Sequence, residues 1–255
     1  MPLVLTPITN IPLLKGGEFL PDLILRSIID QEIHLQDGDV LAVTQKIVSK
    51  AEGRTIYLEQ VSPSEEAKEL ARKTLKDPRL IELILKESKE IIRASRKTII
   101  VEHKLGFICA NAGIDHSNVR GEKNHEKSCY LLLPENPEKS AQAIGEYIQI
   151  QNGVNIGVII IDSHGRPWRY GTVGVIIGTY HVPALLDLRG KKDLFNYQLK
   201  ITRISPADEL AAASSLLMGQ ANEAIPAVHI RGFPYELQDS SINDLIRPKE
   251  IDLFR

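Results

Sequence analysis

Apolar and polar positions follow two rhythms along this chain. Four short runs rich in β-branched residues, Val40 to Val43, Thr98 to Val101, Ile156 to Ile161 and Val173 to Ile177, are too brief for helices and predict strands. Between them lie stretches with helical spacing, three of which open on the same signal, a Ser or Asp followed by proline. In Ser62-Pro63-Ser64-Glu65 the spacing predicts Ser62 as N-cap, Pro63 as the first helical residue and Glu65 closing a capping box, with the helix running on through EEAKELARKTL. Asp77-Pro78 repeats the signal ahead of a helical stripe of Leu80, Ile81, Ile84, Leu85, Ile91 and Ile92, and Ser205-Pro206-Ala207-Asp208 does so ahead of Glu209 to Met218. The mixture predicts an α/β (mixed α+β) fold. Residues 115–130, DHSNVRGEKNHEKSCY, have no period and predict a long loop, its first residues candidates for a site and its middle for a flexible lid. No repeat, low-complexity tract or Gly/Ser linker cuts the chain, so residues 1–255 read as a single unit.

Composition narrows the class. With 43% apolar and 25% charged residues the chain can build an ordinary globular core. Lys and Arg total 31 against 33 Asp and Glu, so the net charge of -2 supplies no field to hold a nucleic-acid backbone, and any bound anion must be held locally. Two cysteines, Cys109 and Cys129, are too few for a disulfide framework and predict a reducing, cytoplasmic setting. The apolar N-terminus lacks a basic n-region and is broken by Pro2, Pro7 and Pro12, which argues against a secretory signal. No apolar run approaches the roughly eighteen residues of a membrane span.

Three segments carry candidate chemistry. In NIGVIIIDSHGRPWRYGTVG an apolar run breaks at Asp162-Ser163, followed by Gly165, Arg166 and Arg169, which predicts a strand presenting a carboxylate at its C-terminal end. Adjacent Asp and Ser suit a hard cation such as Mg or Mn; the plainer alternative is an Asp capping a turn beside solvated arginines. In FICANAGIDHSN, Asn111, Gly113, Asp115 and Asn118 follow another apolar segment, and Asp115 is either a second carboxylate for the same cation or part of a turn. In DGDVLAVTQKIVSKAEGR an Asp-Gly turn leads into a strand and then Lys46, Ser49, Lys50 and Arg54, cations that either hold phosphates or form a solvated face. Neither G-x-x-x-x-G-K-[ST] nor G-x-G-x-x-G occurs, so a nucleotide would bind without a Walker loop. The group His116, His125 and Cys129, like His164, has no convincing zinc spacing. Trp168 reads either as a stacking platform or as packing.

Taken in order, Ile11-Pro12-Leu13-Leu14-Lys15, DGDVLAVTQKIVSKAEGR, NAGIDHSN, GVIIIDSHGRPWRYGTVGVIIG, Gly190-Lys191-Lys192-Asp193-Leu194 and ADELAAASSLLMGQANEAIPAVHIRG span nearly the whole chain. Together they resemble the gamma-glutamyl ligase family of deazaflavin biosynthesis, the coenzyme F-420-0:L-glutamate ligases. The resemblance implies a two-lobed α/β subunit in an intertwined homodimer. It implies GTP as co-substrate, divalent Mg or Mn and a monovalent cation such as potassium, with L-glutamate joined to the carboxylate of a deazaflavin precursor and a further glutamate added through the gamma-carboxyl. Carried onto matching positions, it gives Asp115, Asp162 and Lys50 as the catalytic set, Asp115 and Asp162 as ligands of one metal, and Ser163, with the position of Gln220, as ligands of another. It puts Ile11, Pro12, Leu13, Leu14, Gln45, Lys46, Lys50, Asn118, Leu216, Leu217, Met218, Gly219, Gln220, Ala221, Asn222 and Glu223 around the nucleotide. At Gln220 some relatives have a glutamate, and a neutral amide holds a second metal more weakly. Two other readings use the same residues: a relative glutamylating another acid, or a metal-dependent phosphohydrolase. A non-enzymatic nucleotide-sensing module is the third.

Overall fold

The computed structural model describes residues 1–119 and 129–254. In chain order the elements are β1 (Val4–Ile8), α1 (Leu20–Asp30), β2 (Val40–Thr44), α2 (Gln45–Ala51), β3 (Thr55–Tyr57), α3 (Glu65–Thr74), α4 (Pro78–Lys86), β4 (Ser88–Ser95), β5 (Thr98–His103) and β6 (Ile108–Ala110). They continue with β7 (Cys129–Leu131), α5 (Pro137–Asn152), β8 (Gly157–Arg166), β9 (Arg169–Tyr180), β10 (Leu186–Asp187), β11 (Arg203–Ile204), α6 (Pro206–Met218) and β12 (Ala227–Arg231). The fold is mixed α/β.

A five-stranded sheet in the order β1-β12-β2-β8-β9 forms the centre, with β2 and β8 parallel and the other neighbours antiparallel. Val40–Val43 of β2 and Val158–Ile161 of β8 are apolar on both faces because both faces are covered there. Leu41 and Val43 of β2, with Val158 and Ile160 of β8, join α1 and α5 in one core; Val40, Ala42, Ile159 and Ile161 join α6 in another. Each fully buried Val, Leu or Ile contributes about 1.5–3 kcal/mol, so this double coverage is the main source of stability. A third core lies between α3, α4 and the separate sheet β4-β5-β6, and Phe107 packs against all three cores. Two glycines bring helices close to β9: a Cβ on Gly174 would sit 2.4 Å from the Ala211 carbonyl oxygen of α6, and one on Gly178 would sit 2.5 Å from the Pro137 backbone of α5.

At the entrance to β2 a buried carboxylate pins the sheet. Asp39 accepts from His229 Nε2 at 2.8 Å, Arg231 Nε at 3.0 Å, Arg231 Nη2 at 2.7 Å and the Gln36 backbone N–H at 2.9 Å. Burial alone would raise its pKa, but the His229 and Arg231 hydrogen bonds outweigh that and hold it at about 2.

The structure corrects several sequence expectations. The first proline-led helix is capped by Ser64, whose Oγ accepts from the Ala67 N–H at 3.2 Å, and not by Ser62; α3 starts at Glu65. Asp77 and Ser205 do cap α4 and α6 as expected. Ile91 and Ile92 leave the helical stripe, because α4 stops at Lys86 and Ser88–Ser95 pairs with β5 instead. Both ends of the expected loop at 115–130 are paired: Asp115 bonds Leu131 through both backbone hydrogen bonds, and β7 begins at Cys129. The proposed lid centre, residues 120–128, lies outside the described residues, as does His125.

Candidate active site

The site forms where β2 ends. Its parallel partner β8 continues past that point as a two-stranded ribbon with β9, so Asp162 sits inside a strand of ten residues rather than at its C-terminal end. Losing one neighbour exposes that edge of β8 while β9 keeps its backbone rigid. Asp162 and Ser163 therefore face a cavity of about 630 Å3 from a fixed frame.

Asp115 reaches the same cavity by another route. Strand β6 ends in a tight turn, Asn111–Gly113, in which Asn111 and Ala112 take positive φ, and the chain then locks against Leu131. The Asp115 carboxylate accepts from Gln45 Nε2 at 2.7 Å, and Lys46 Nζ lies 3.5 Å from it. Gln45 is buried, and its other end accepts from Ser49 Oγ at 2.9 Å, which fixes the amide so that its N–H faces Asp115. Burial raises the Asp115 pKa, Lys46 opposes the rise, and the charge of Asp162 adds to it. Two carboxylates that feel one another in a partly dry cleft form a site that gains from a cation.

Loops complete the rim. Lys46 Nζ donates to Ser117 Oγ at 3.1 Å, and Lys50 Nζ donates to the Asn118 carbonyl at 2.9 Å. Burial, and then the neighbouring Lys46 charge, lowers the Lys50 pKa. Asn118 Nδ2 donates to the Ala221 carbonyl at 2.7 Å, and Gln220 Nε2 donates to Ser163 Oγ at 2.9 Å, so the loop after α6 is tied to both carboxylate-bearing segments. Glu223 folds back on that loop, accepting from the Ala221 N–H at 2.8 Å, and its carboxyl fills the space a Cβ on Gly219 would need.

The cavity thus gathers most of the residues singled out from sequence: Ile11, Pro12, Leu13, Leu14, Lys46, Lys50, Asp115, Asn118, Asp162, Ser163, Met218, Gly219, Gln220, Ala221, Asn222 and Glu223 all line it. Gln45 stands behind Asp115. Leu216 and Leu217 do not line it: Leu216 is exposed, and Leu217 packs on the α6 core. Arg54 turns away to Glu87, 2.8 Å distant, and Trp168 projects from the β8–β9 turn with 90% of its surface exposed. Thr44, Ser117 and Thr172 line the cavity and were not singled out. His164, whose spacing suggested no zinc site, is largely enclosed and bonds through Nε2 to Asp162 Oδ2 at 3.1 Å. The signal for Ser117 and His164 was adjacency to a candidate ligand, which sequence alone does not separate from solvent-facing filler.

No cluster of three or more His, Cys, Asp or Glu side chains suited to a metal occurs among the described residues. Two carboxylates, a hydroxyl and an amide oxygen nonetheless match a hard divalent ion such as Mg, which takes one or two protein carboxylates and completes its shell with water and phosphate oxygens. The donor set fits.

The family described as F420-0:Gamma-glutamyl ligase matches residues 9–232. The coenzyme F420:L-glutamate ligase of Methanothermobacter thermautotrophicus is 43% identical over the full length of both chains. That of Methanocaldococcus jannaschii is 44% identical, covering 96% of this chain and 94% of its own, and that of Methanopyrus kandleri is 43% identical over 91% of each. No helix among the described residues is long and apolar enough to cross a membrane. With the family match covering both carboxylate segments and the loop after α6, this chain belongs to the F420-0:gamma-glutamyl ligase family.

Proposed function

We propose that the protein is a GTP-dependent ligase that adds L-glutamate to the carboxylate of coenzyme F420-0, a deazaflavin phosphodiester, and then a second glutamate in gamma linkage. One observation carries this reading: Asp115 and Asp162 converge with Lys46 and Lys50 on a cavity large enough for a nucleoside triphosphate. A carboxylate does not condense with an amine unaided, because oxide is a very poor leaving group. In the proposed reaction the γ-phosphoryl group of GTP passes to the acceptor carboxylate, giving GDP and an acyl phosphate. The glutamate amine then attacks the acyl carbon, inorganic phosphate leaves with the C–O electron pair, and the amine proton passes to solvent.

Asp115 and Asp162 would hold one divalent Mg or Mn, and Ser163 with Gln220 would hold a second more weakly; the contribution of such ions when bound is to neutralise charge on the transferred phosphoryl oxygens. Lys46 and Lys50 supply positive charge on the side of the cavity formed by α2, with Lys50 in the catalytic set. Gln45 and Ser49 keep the Asp115 carboxylate aimed. Residues 11–14 and 218–223 form the walls that hold the nucleotide.

The assembly is proposed to be a homodimer, supported by the exposed apolar side chains of two projecting ribbons, among them Trp168, Tyr170, Leu194, Phe195 and Ile201. The unpaired, buried Cys109 and Cys129 fit a reducing cytoplasm.

The decisive test is mass spectrometry of a reaction containing GTP, Mg or Mn, L-glutamate and a deazaflavin phosphodiester with a free carboxylate. Acceptor mass should rise by one or two glutamyl units with matching GDP release. GTP consumption at the same rate without acceptor and glutamate would instead identify a phosphohydrolase.

A further inference from the structure

A second cavity of about 310 Å3 lies beside the first. Four elements contribute to both. Strand β6 gives Ile108 to the smaller and Ala110 to the larger; β8 gives His164 to the smaller and Asp162 to the larger; β9 gives Val175 to the smaller and Thr172 to the larger; α6 gives Asp208 to the smaller and Ser215 to the larger. The two spaces are thus consecutive stretches along the same elements, separated by the hydrogen-bonded pair Asp162–His164. The His164 ring is held against Phe107, 5.2 Å between centroids, and Phe107 is stacked on the buried His103 at 5.3 Å.

The wall chemistry of the smaller cavity is mixed in charge. Asp208 is largely enclosed, with Oδ1 accepting from the Ile176 N–H at 2.9 Å, and burial raises its pKa, so a cationic partner would favour its ionised form. Arg247 and Asp252 line the same cavity, from the segment after β12. Phe107, Val175, Ile176, Ile242, Leu245 and Ile246 supply apolar wall. A polyanion such as a phosphodiester would meet two carboxylates here, whereas a small zwitterion meets opposite charges at both of its ends. The cavity has room for a molecule of about ten heavy atoms.

We propose that this cavity binds the amino-acid donor, an α-amino dicarboxylate such as L-glutamate, with its ammonium group toward Asp208 and His164 and a carboxylate toward Arg247. The assignment rests on the ligase reading above. It places the attacking amine at the wall shared with Asp162, where the activated acyl group is formed, and leaves the larger cavity to the nucleotide and the acceptor carboxylate.

The test measures KM for L-glutamate, KM for GTP and direct L-glutamate titration with GDP and Mg present, in full-length Arg247→Ala and Asp208→Asn proteins. Loss of a charged hydrogen-bond partner predicts a rise of roughly tenfold or more in the glutamate constants, with the GTP constant within about twofold of wild type. Arg247 is exposed, so its variant keeps the test valid even if Asp208→Asn perturbs α6. Product formation with unchanged glutamate KM in both variants overturns the site and leaves the ligase reading standing. Glutamate binding that weakens in both variants, in a protein that makes no glutamyl product, upholds the site and overturns the ligase reading.

Discussion

Replacing Asp39 by Asn separates the stability of the central sheet from the chemistry of the cavity. The carboxylate titrates near 2 in the fold against 3.8 for an ordinary Asp, a difference corresponding to about 2–3 kcal/mol in favour of the folded, ionised form. The sign follows from proton binding. Between the two values the unfolded chain holds more protons than the folded one, so this stability is fully present above about pH 5 and drains away as the pH falls toward 2. At pH 3 about half of it should remain. Asp39→Asn removes the charge yet keeps the size, and it sets an amide donor among donors from His229, Arg231 and Gln36. Urea unfolding should therefore show a loss of about 2–3 kcal/mol at pH 7, shrinking to about half at pH 3. Nucleotide affinity should be preserved, because Asp39 sits at the opposite end of β2 from the cavity. A loss below about 0.5 kcal/mol at pH 7, the range of ordinary surface changes, or a loss that stays constant down to pH 3, would refute the claim that the His229 and Arg231 bonds outweigh burial.

Three further outcomes are expected. Asp115→Asn should cut turnover by about a hundred- to a thousandfold, the scale lost when charge stabilisation of a transition state is removed. Its melting temperature should equal or exceed that of wild type, since burial disfavours the ionised carboxylate; near-normal turnover would reject the catalytic assignment. Gln220→Glu adds a negative ligand beside Ser163 and should tighten Mn binding by on the order of tenfold, read by calorimetry, with weaker binding counting against the metal assignment. Gly174→Val forces a side chain toward the Ala211 carbonyl, and overpacking of this kind costs about 1–3 kcal/mol; chemical unfolding that matched wild type would show that α6 does not rest on β9 as described.

Much of the fold was legible because the strongest sequence signals are local. Asp77-Pro78 and Ser205-Pro206 mark helix starts through bonds made within a turn, and Val40–Val43 of β2 and Val158–Ile161 of β8 are apolar without a break because both faces are covered there. The readings that went astray depended on partners distant in sequence. Ile91 and Ile92 keep helical spacing from α4, yet pairing with β5 pulls them into a strand, and nothing within a few residues announces that. The capping serine was misplaced because Ser62 and Ser64 offer equivalent hydroxyls, and the choice is made by Glu82, which accepts hydrogen bonds from both the Ser64 N–H and Oγ. At the site, Asp115 and Asp162 stood out as breaks in apolar runs. His164 did not, because its importance comes from contact with Asp162, Phe107 and the neighbouring cavity, none of which has a signature in residue spacing.

The place of β12 in the sheet bears on how the protein is made. It lies between β1 and β2, so a ribosome that has finished both flanking strands must still synthesise close to two hundred residues before the slot between them is filled. Until then the nascent chain carries two unsatisfied strand edges at the heart of the molecule, where rival pairings and aggregation start. Cells producing this protein should depend on holdase chaperones during translation, and fragments ending before residue 227 should not accumulate as folded species.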